Sequence, residues 1–250
     1  MKVLGVIPAR YGSTRLPGKP LKDICGKPMI CRVYNQVCKA EKLDQVIVAV
    51  DDKKVADVLD KYNIPYVMTM NTHPTAANRI GEVAEKIDAD FYIQLNGDEP
   101  LIDKNVINAA VPSDIHEHIE FGTNIIIKMN NPAEVNDIAN IKMVFDYSYN
   151  ALYMSRIPIP FPSKSLDYEY YKHVGIIGYN KKMLEFYQNS IPGRLEKIEG
   201  IDTLRFLDYG KRLQLIEVKK CHSLSVDTEM DLNRVREIIA AKLKSKEYEV

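Results

Sequence analysis

The chain contains no tryptophan, no excess of either charge and no long apolar run. Its 34 Lys and Arg residues balance 34 Asp and Glu residues, whereas proteins that bind nucleic acid usually carry a basic excess. No apolar run approaches the ~18 residues that a membrane-spanning helix needs. The amino terminus offers one lysine and then "VLGVI" (Val3–Ile7), which is too short for a signal-peptide core. We therefore expect a cytoplasmic protein with no membrane span and no nucleic-acid partner.

Paired cysteine motifs are also missing. The four cysteines are Cys25, Cys31, Cys38 and Cys221, and no two of them have the C-x-x-C spacing of a zinc or redox site. Reduced, packed thiols are the ordinary state of such cysteines in the cytoplasm.

What the chain does contain is enough apolar sequence for a full core. It has 250 residues, of which 46% are hydrophobic, so disorder is not expected. This length suits one large domain, or one domain with a smaller lobe.

Strand-like and helical segments alternate through the first ~110 residues. The predicted strands are Val3–Ile7, Val46–Val50, Tyr66–Thr69 and Phe91–Leu95. Helices are predicted from Pro28, from Asp51 or Asp52 to about Tyr62, over Arg79–Lys86 and from about Asp103. This alternation predicts an α/β fold with a mostly parallel, Rossmann-like sheet and helices on both faces. Ligands bind such sheets beyond the carboxyl ends of the strands.

The second half of the chain is richer in strands with wider gaps. The predicted strands are Phe121–Met129, Ile141–Asp146, Ala151–Met154, Gly175–Tyr179 and Leu213–Val218. The predicted helices are Leu184–Asn189, Arg194–Tyr209 and Glu229–Lys244. We expect a single domain over residues 1–250, with a smaller strand-rich lobe at approximately 120–180.

The loop "RYGSTRLPGKP" directly follows the first predicted strand and concentrates positive charge with turn residues. Its three long cations are Arg10, Arg15 and Lys19. Glycines let the backbone approach a ligand closely, and such a turn can bind an anion. A Walker A loop is excluded, because Gly12 and Gly18 enclose five residues rather than four and a proline follows the lysine. The dinucleotide fingerprint G-x-G-x-x-G is absent as well, so an anion site and a plain basic loop remain.

A second loop, "NGDEP" (Asn96–Pro100), follows the fourth predicted strand. An aspartate at a strand end can present its carboxylate to Mg²⁺, which favours one or two carboxylates together with phosphate oxygens. Asp227 in "SVDT" is the best candidate for a second carboxylate. The alternatives are that Gly97-Asp98 is only a turn and that Asp227 or Thr228 only caps the last helix.

Six motifs in order resemble the 3-deoxy-manno-octulosonate cytidylyltransferase family. The motifs are "IPARYGSTRLPGKPL" (Ile7–Leu21), "NGDEPLI" (Asn96–Ile102), "ALYMSRIPIP" (Ala151–Pro160), "YKHVGI" (Tyr171–Ile176), "LEKIEGIDTLRFLDYG" (Leu195–Gly210) and "VDTEMDLNRVR" (Val226–Arg236). The resemblance spans nearly the whole chain. The first motif alone also fits acylneuraminate cytidylyltransferases and other sugar nucleotidyltransferases.

The resemblance implies a fold of the nucleotide-diphospho-sugar transferase type and a reaction. CTP and a 2-keto-3-deoxy sugar acid, such as Kdo (3-deoxy-manno-octulosonate), would give a CMP-sugar and pyrophosphate with Mg²⁺. It also implies a homodimer, and it leaves lipopolysaccharide and capsule pathways open.

The same resemblance assigns roles to residues. Those that would hold the triphosphate and leaving pyrophosphate are Arg10, Ser13, Arg15 and Lys19. Further nucleotide contacts would come from Ala9, Thr75 and Arg79. The metal would lie on Asp98 and Asp227, which with Arg10 and Lys19 form the catalytic set. The acceptor would contact Asn96, Arg156, His173, Glu199 and Asp202, although His173 also suits a hydrogen-bonded strand position.

The chain departs from the family pattern at four places. Asn96 replaces a glutamine, "HPTAANR" (His73–Arg79) lacks a glycine and an acidic residue, "VAVDD" (Val48–Asp52) lacks a threonine, and Asp202-Thr203 replace Glu-Gln. In the family pattern these four sites line the base or sugar pocket, and the residues that the resemblance assigns to the triphosphate and the metal are intact. The alternatives are therefore a nucleotidyltransferase for a different acidic acceptor and a non-catalytic nucleotide-binding protein.

Overall fold

A computed structural model describes residues 1–13, 15–165, 167–221 and 224–248. The strands in these ranges are β1 (Val3–Ala9), β2 (Asp23–Ile24), β3 (Lys27–Pro28), β4 (Gln45–Val50), β5 (Tyr66–Met68), β6 (Phe91–Gln94), β7 (Phe121–Lys128), β8 (Lys142–Phe145), β9 (Ala151–Ser155), β10 (Tyr171–Asn180) and β11 (Arg212–Val218). The α-helices are α1 (Met29–Val37), α2 (Lys53–Lys61), α3 (Ala76–Lys86), α4 (Lys104–Ala110), α5 (Pro132–Asn136), α6 (Lys181–Asn189), α7 (Arg194–Glu199), α8 (Leu204–Asp208) and α9 (Glu229–Lys244).

The central sheet has the order β11-β7-β10-β6-β1-β4-β5. Strands β6, β1, β4 and β5 pair in parallel, as the alternating pattern predicts, and β11 is parallel to β7. Strand β10 runs antiparallel to both β6 and β7 and joins the two parallel groups. The hairpin β8–β9 pairs with the start of β10 and carries the sheet beyond its carboxyl edge. The predicted mostly parallel α/β fold is therefore confirmed.

Alternating side chains of the strands bury apolar groups on both faces of the sheet. On β6, Phe91 and Ile93 pack with α1, α4 and α9, whereas Tyr92 between them packs with α3 and α6. Capping side chains fix where several helices begin: Asp52 accepts from the backbone N–H of Lys54 at α2, and Thr228 forms a capping box at α9.

The single helix predicted over Arg194–Tyr209 is wrong. The helix stops at Glu199, and Gly200 takes a left-handed conformation with φ +63° before α8 begins. Glycine adopts this conformation at little cost, so it ends the helix although the apolar spacing continues beyond it. The short β2–β3 hairpin and α5 were not predicted, because segments of two to five residues carry too little periodicity.

No helix in the described part of the chain is long and apolar enough to cross a membrane.

Candidate active site

A cavity of about 450 Å³ lies at the carboxyl edge of the parallel strands, between the loops that follow β1 and β6. It gathers nine of the residues predicted from the sequence. These are Ala9, Arg10, Ser13, Arg15, Lys19, Arg79, Asn96, Asp98 and Asp227. We call this space the first cavity.

The loop after β1 owes its shape to turn chemistry. Gly18 has φ +65°, which favours glycine, and it is followed by a 3₁₀ turn over Lys19–Leu21 with a proline in its first turn. Ser13 Oγ accepts from the backbone N–H of Leu16 at 3.3 Å. The loop therefore bends back so that its cations line the first cavity.

The loop after β6 approaches β1 very closely. A Cβ atom on Gly97 would lie 2.7 Å from the backbone oxygen of Pro8, so only glycine fits there without a shift. The backbone N–H of Val226 donates to the Asp98 carbonyl at 2.9 Å, which ties the segment before α9 to the same loop. Glycine and this backbone bond together bring Asp98 and Asp227 to one wall.

The Lys19 ammonium bridges the two aspartates. Its Nζ lies 2.5 Å from Asp98 Oδ2 and 3.1 Å from Asp227 Oδ1, and Arg15 Nη2 lies 3.0 Å from the same Asp227 oxygen. Burial by itself lowers the pKa of Lys19, but the charges and hydrogen bonds of the two carboxylates outweigh it, so that pKa is raised. Lys19 is therefore a fixed cation between two carboxylates.

This arrangement can accept a divalent cation together with a phosphate ligand. No group of three or more His, Cys, Asp or Glu side chains gathers as a complete metal cage among the residues described. Mg²⁺ prefers one or two carboxylates and completes its shell with phosphate and water oxygens. Asp98 and Asp227 fit that requirement.

Asp51 is a site residue that sequence reasoning treated only as a helix cap. Asp52 makes the cap, while Asp51 Oδ1 accepts from the Tyr11 backbone N–H at 3.1 Å. Its Oδ2 pairs with Arg79 Nη2 at 3.0 Å, and the nearly fully buried Arg79 also donates to Thr69. Asp51 thus joins the loop after β1 to α3.

Thr75 stands one residue outside the lining of the first cavity. Its hydroxyl caps α3 by accepting from the Asn78 backbone N–H at 3.2 Å, and the neighbouring Ala76 lines the cavity. Thr75 therefore sets the position of the segment that lines the first cavity next to it.

A second cavity of about 580 Å³ adjoins the first and shares Asn96 with it. Of the predicted residues it contains Asn96 and His173. Asn96 Nδ2 donates to Glu99 Oε1 at 2.8 Å, and Ser225 Oγ donates to the same oxygen at 3.3 Å. Four side chains of its lining were not singled out by sequence reasoning: Glu99, Glu134, Lys172 and Ser225.

His173 is held as a neutral imidazole. Asn124 Nδ2 donates to the carbonyls of Val174 and Ile176, so its Oδ1 is the atom 2.6 Å from His173 Nδ1 and must accept. Nδ1 therefore carries the proton, and Nε2 is left as an acceptor. Burial lowers the pKa of His173 to about 4.

Arg156 and Glu199 form a cluster of their own rather than lining either cavity. The Arg156 guanidinium donates to the backbone carbonyls of Glu199, Ile138 and Gly200 at 2.8 to 3.1 Å. The Glu199 carboxylate accepts from Ser155 Oγ at 2.8 Å and from the Arg156 backbone N–H at 3.1 Å. In this structure the predicted carboxylate-binding arginine joins the carboxyl end of α7 to the loop before β8.

Asp202 lies in a third place, beside a buried ion pair. Arg205 donates to both Glu196 oxygens at 2.7 Å and stacks on Tyr187, with its guanidinium carbon 3.9 Å from the ring centroid. Burial, reinforced by the charge of Glu196, raises the pKa of Asp202. The structure thus separates the predicted acceptor residues into three locations.

A mostly parallel sheet with a cation-lined, carboxylate-containing cavity at its carboxyl edge is typical of enzymes that act on phosphate-bearing ligands. The family model for cytidylyltransferases matches residues 4–213. The chain belongs to the cytidylyltransferase family.

Relatives of known activity cover nearly the whole chain. The 3-deoxy-manno-octulosonate cytidylyltransferase of Solibacter usitatus is 38% identical over 97% of this chain and 96% of its own length. The 8-amino-3,8-dideoxy-manno-octulosonate cytidylyltransferase of Shewanella halifaxensis is 38% identical over 93% of this chain and 96% of its own length. The relatives therefore divide between two acceptors.

Solved structures agree. A structure of CMP:2-keto-3-deoxy-manno-octonic acid synthetase complexed with CTP superposes with a TM-score of 0.91 at 35% identity, covering 97% of this chain and all of that one. The inositol-1-phosphate CTP transferase of T. maritima gives 0.67 at 12% identity, over 95% of this chain and 94% of that one. The second match shows the shared fold alone.

Proposed function

We propose that this enzyme transfers CMP from CTP to a Kdo-like 2-keto-3-deoxy sugar acid and releases pyrophosphate. The observation that carries the proposal is the Lys19 ammonium between Asp98 and Asp227, in a cavity that Arg10 and Arg15 also line. The acceptor's anomeric oxygen would form the new bond to the α-phosphorus as the bond to the β-phosphate oxygen breaks. Such a reaction depends mainly on positioning and charge stabilisation.

The nucleotide roles follow from the lining of the first cavity. Arg10, Ser13, Arg15 and Lys19 would hold the triphosphate and stabilise the charge that develops on pyrophosphate. Ala9 and Arg79 would contact the nucleotide, and Thr75 would act through the segment it caps. No side chain needs to become a covalent nucleophile.

We assign a bound Mg²⁺ to Asp98 and Asp227. When bound, such a metal polarises the α-phosphate and lowers the pKa of the attacking hydroxyl. The ammonium that already lies between the two carboxylates supports this assignment, because it shows that both can face one positive charge. Lys19 would then turn toward the triphosphate, whose negative charge replaces that of the aspartates.

On the acceptor side, Asn96 and His173 are the predicted residues that line a cavity. Because its Nε2 carries no proton, His173 can accept a hydrogen bond from a hydroxyl of the acceptor sugar. As a neutral ring it is less suited to pairing with the acceptor's carboxylate. Arg156 and Glu199 would contact the sugar directly if the loop before β8 shifts, and otherwise they shape its pocket. Asp202 remains proposed as an acceptor contact.

A different acidic acceptor is the second candidate. Its support is Asn96, whose short amide donates to Glu99, and Asp202, whose pKa is raised by burial. Neither change touches the residues that would hold the triphosphate and the metal.

We also propose that residues 1–250 act as one domain and form a homodimer through the lobe at approximately 120–180, in the cytoplasm, where CTP is made. Leu152, Ile157 and Phe161 are 60%, 63% and 86% exposed, and all three lie in or just after the edge strand β9. Met143 and Met154 of the same lobe are fully buried in the protomer and do not belong to this exposed surface. Light scattering should give the molar mass of a dimer for the wild type and of a monomer for Leu152→Lys. A monomeric wild type would contradict the proposal.

The test of the reaction is turnover. The enzyme is incubated with Mg²⁺, Kdo and each of four nucleoside triphosphates, and pyrophosphate is measured. We expect release with CTP in clear preference. Release with CTP only when another 2-keto acid replaces Kdo would support the second candidate, and no release with any nucleotide and a panel of 2-keto acids would contradict both.

A further inference from the structure

An ion pair lies in the wall of the second cavity. Lys172, near the start of β10, pairs through Nζ with Glu134 Oε1 of α5. The two side chains are 29% and 31% exposed, so the pair is partly shielded from water yet open to a ligand in the cavity. It therefore interacts more strongly with charge than a surface pair does.

Among the described residues, the other charged or potentially charged Glu, Lys and His side chains that face this cavity already have partners or are neutral. Glu99 is buried and accepts from Asn96 and Ser225, and Lys128 pairs with Glu169 outside the cavity. His173 is neutral at pH 7 for the reasons given above. The Lys172–Glu134 pair is thus the charged element there that a ligand could open.

The position of the cavity says which part of the acceptor reaches it. The attacking oxygen must lie near Asp98 and Asp227 in the first cavity, and Asn96 lines both spaces. When an eight-carbon acid binds with its reacting end there, the opposite end of the molecule must lie in a neighbouring space. The second cavity is the adjoining space of sufficient size, at about 580 Å³.

The two acceptors named for the relatives differ at that far end. One carries a hydroxyl on carbon 8, and the other carries an amino group, which is an ammonium at pH 7. An ammonium entering the cavity would meet Lys172, and it could reach Glu134 only by displacing Lys172 from the pair. A neutral hydroxyl meets no such repulsion.

We propose, on the basis of the function proposed above, that the Lys172–Glu134 pair is a specificity device that selects a hydroxyl over an ammonium at the far end of the acceptor. Glu134 is the group that would bind an ammonium, and Lys172 occupies it. Removing Lys172 and removing Glu134 should therefore shift the selectivity between the two acceptors in opposite directions.

The experiment measures kcat/KM for Kdo and for its 8-amino-8-deoxy analogue, with saturating CTP and Mg²⁺ at pH 7. Wild type should favour Kdo. Lys172→Met frees Glu134 and should raise the ratio of amino acceptor to Kdo by about tenfold, whereas Glu134→Gln leaves Lys172 alone and should lower it by about the same factor. The KM for CTP should stay within about twofold in both.

A matched control is Lys181→Met, which removes an exposed lysine–carboxylate pair with Asp88 at the opposite edge of the sheet and should leave the ratio unchanged. The proposal is overturned if wild type favours the amino acceptor, or if the two cavity variants keep the wild-type ratio or shift it in the same direction. Loss of turnover with both acceptors already in wild type would instead remove the proposed function on which the inference rests.

Discussion

The nucleotide side and the acceptor side of this enzyme are built in different ways. On the nucleotide side, the loops after β1 and β6 and the segment before α9 place the Lys19 ammonium 2.5 Å from Asp98 and 3.1 Å from Asp227. On the acceptor side, Arg156 and Asp202 lie outside both cavities, and their neighbours are carbonyls and buried side chains. The first region is a cluster of charged side chains that lines a cavity, and the second is a packed framework around a polar cavity. The difference predicts that variants of the first lose rate, whereas variants of the second lose stability or selectivity.

Asp98→Asn should have the largest effect. It keeps the shape of the side chain but removes one of the two negative charges that face Lys19, so turnover should fall at least about a thousandfold with modest loss of CTP binding. Pyrophosphate release and equilibrium CTP binding measure the two quantities. Asp88→Asn, at the far edge of the sheet, is the control, and unchanged turnover in Asp98→Asn would remove the metal assignment.

Arg205→Met should mainly destabilise the protein. It leaves Glu196 buried without its bidentate partner, and breaking such a pair costs about 3–5 kcal/mol in the free energy of unfolding. Urea unfolding at pH 7 measures the loss. Arg194→Met changes an exposed arginine of α7 and should cost little. Equal stability of the two variants would show that the pair does not hold α7 and α8 in place.

His173 should make stability depend on pH. Its pKa is about 4 when folded and 6.5 when unfolded, so the unfolded state binds more protons between these values. Its contribution is complete above pH 6.5 and is lost as the pH falls toward 4, by about 3 kcal/mol. His173→Gln should flatten this part of the stability curve, with the exposed His118→Gln as control. A slope that survives in His173→Gln would assign the dependence to other groups.

Arg156→Lys should have a smaller effect confined to the acceptor. One ammonium cannot reproduce a guanidinium fork across the carbonyls of Ile138, Glu199 and Gly200, so kcat/KM for the acceptor should fall about tenfold with the KM for CTP unchanged. Steady-state kinetics with each substrate varied would show this, beside Arg212→Lys on the surface. A change mainly in the KM for CTP would contradict the separation of the two regions.

The sequence predicted most of the charged residues that line the first cavity, because the loop after β1 and "NGDEP" each combine position at a strand end with charge in a short stretch. It missed Asp51, since an aspartate before a helix looks like a cap and its partner Arg79 is 28 residues away. The acceptor side was harder for the same physical reason. Lys172 and Glu134 are 38 residues apart, and only the antiparallel β10, whose direction the alternating pattern did not indicate, brings them together.

The central claim is that the loop after β1 holds the triphosphate. The most direct measurement is CTP binding by titration calorimetry with Mg²⁺ and no acceptor, in Lys19→Met and in Lys22→Met. Lys19 lies in the first cavity, whereas Lys22, three residues on, lies outside its lining with its ammonium 4.0 Å from Glu229. We predict that Lys19→Met weakens CTP binding by at least about tenfold and Lys22→Met by less than about twofold. Equal CTP affinity in the two variants would contradict the account.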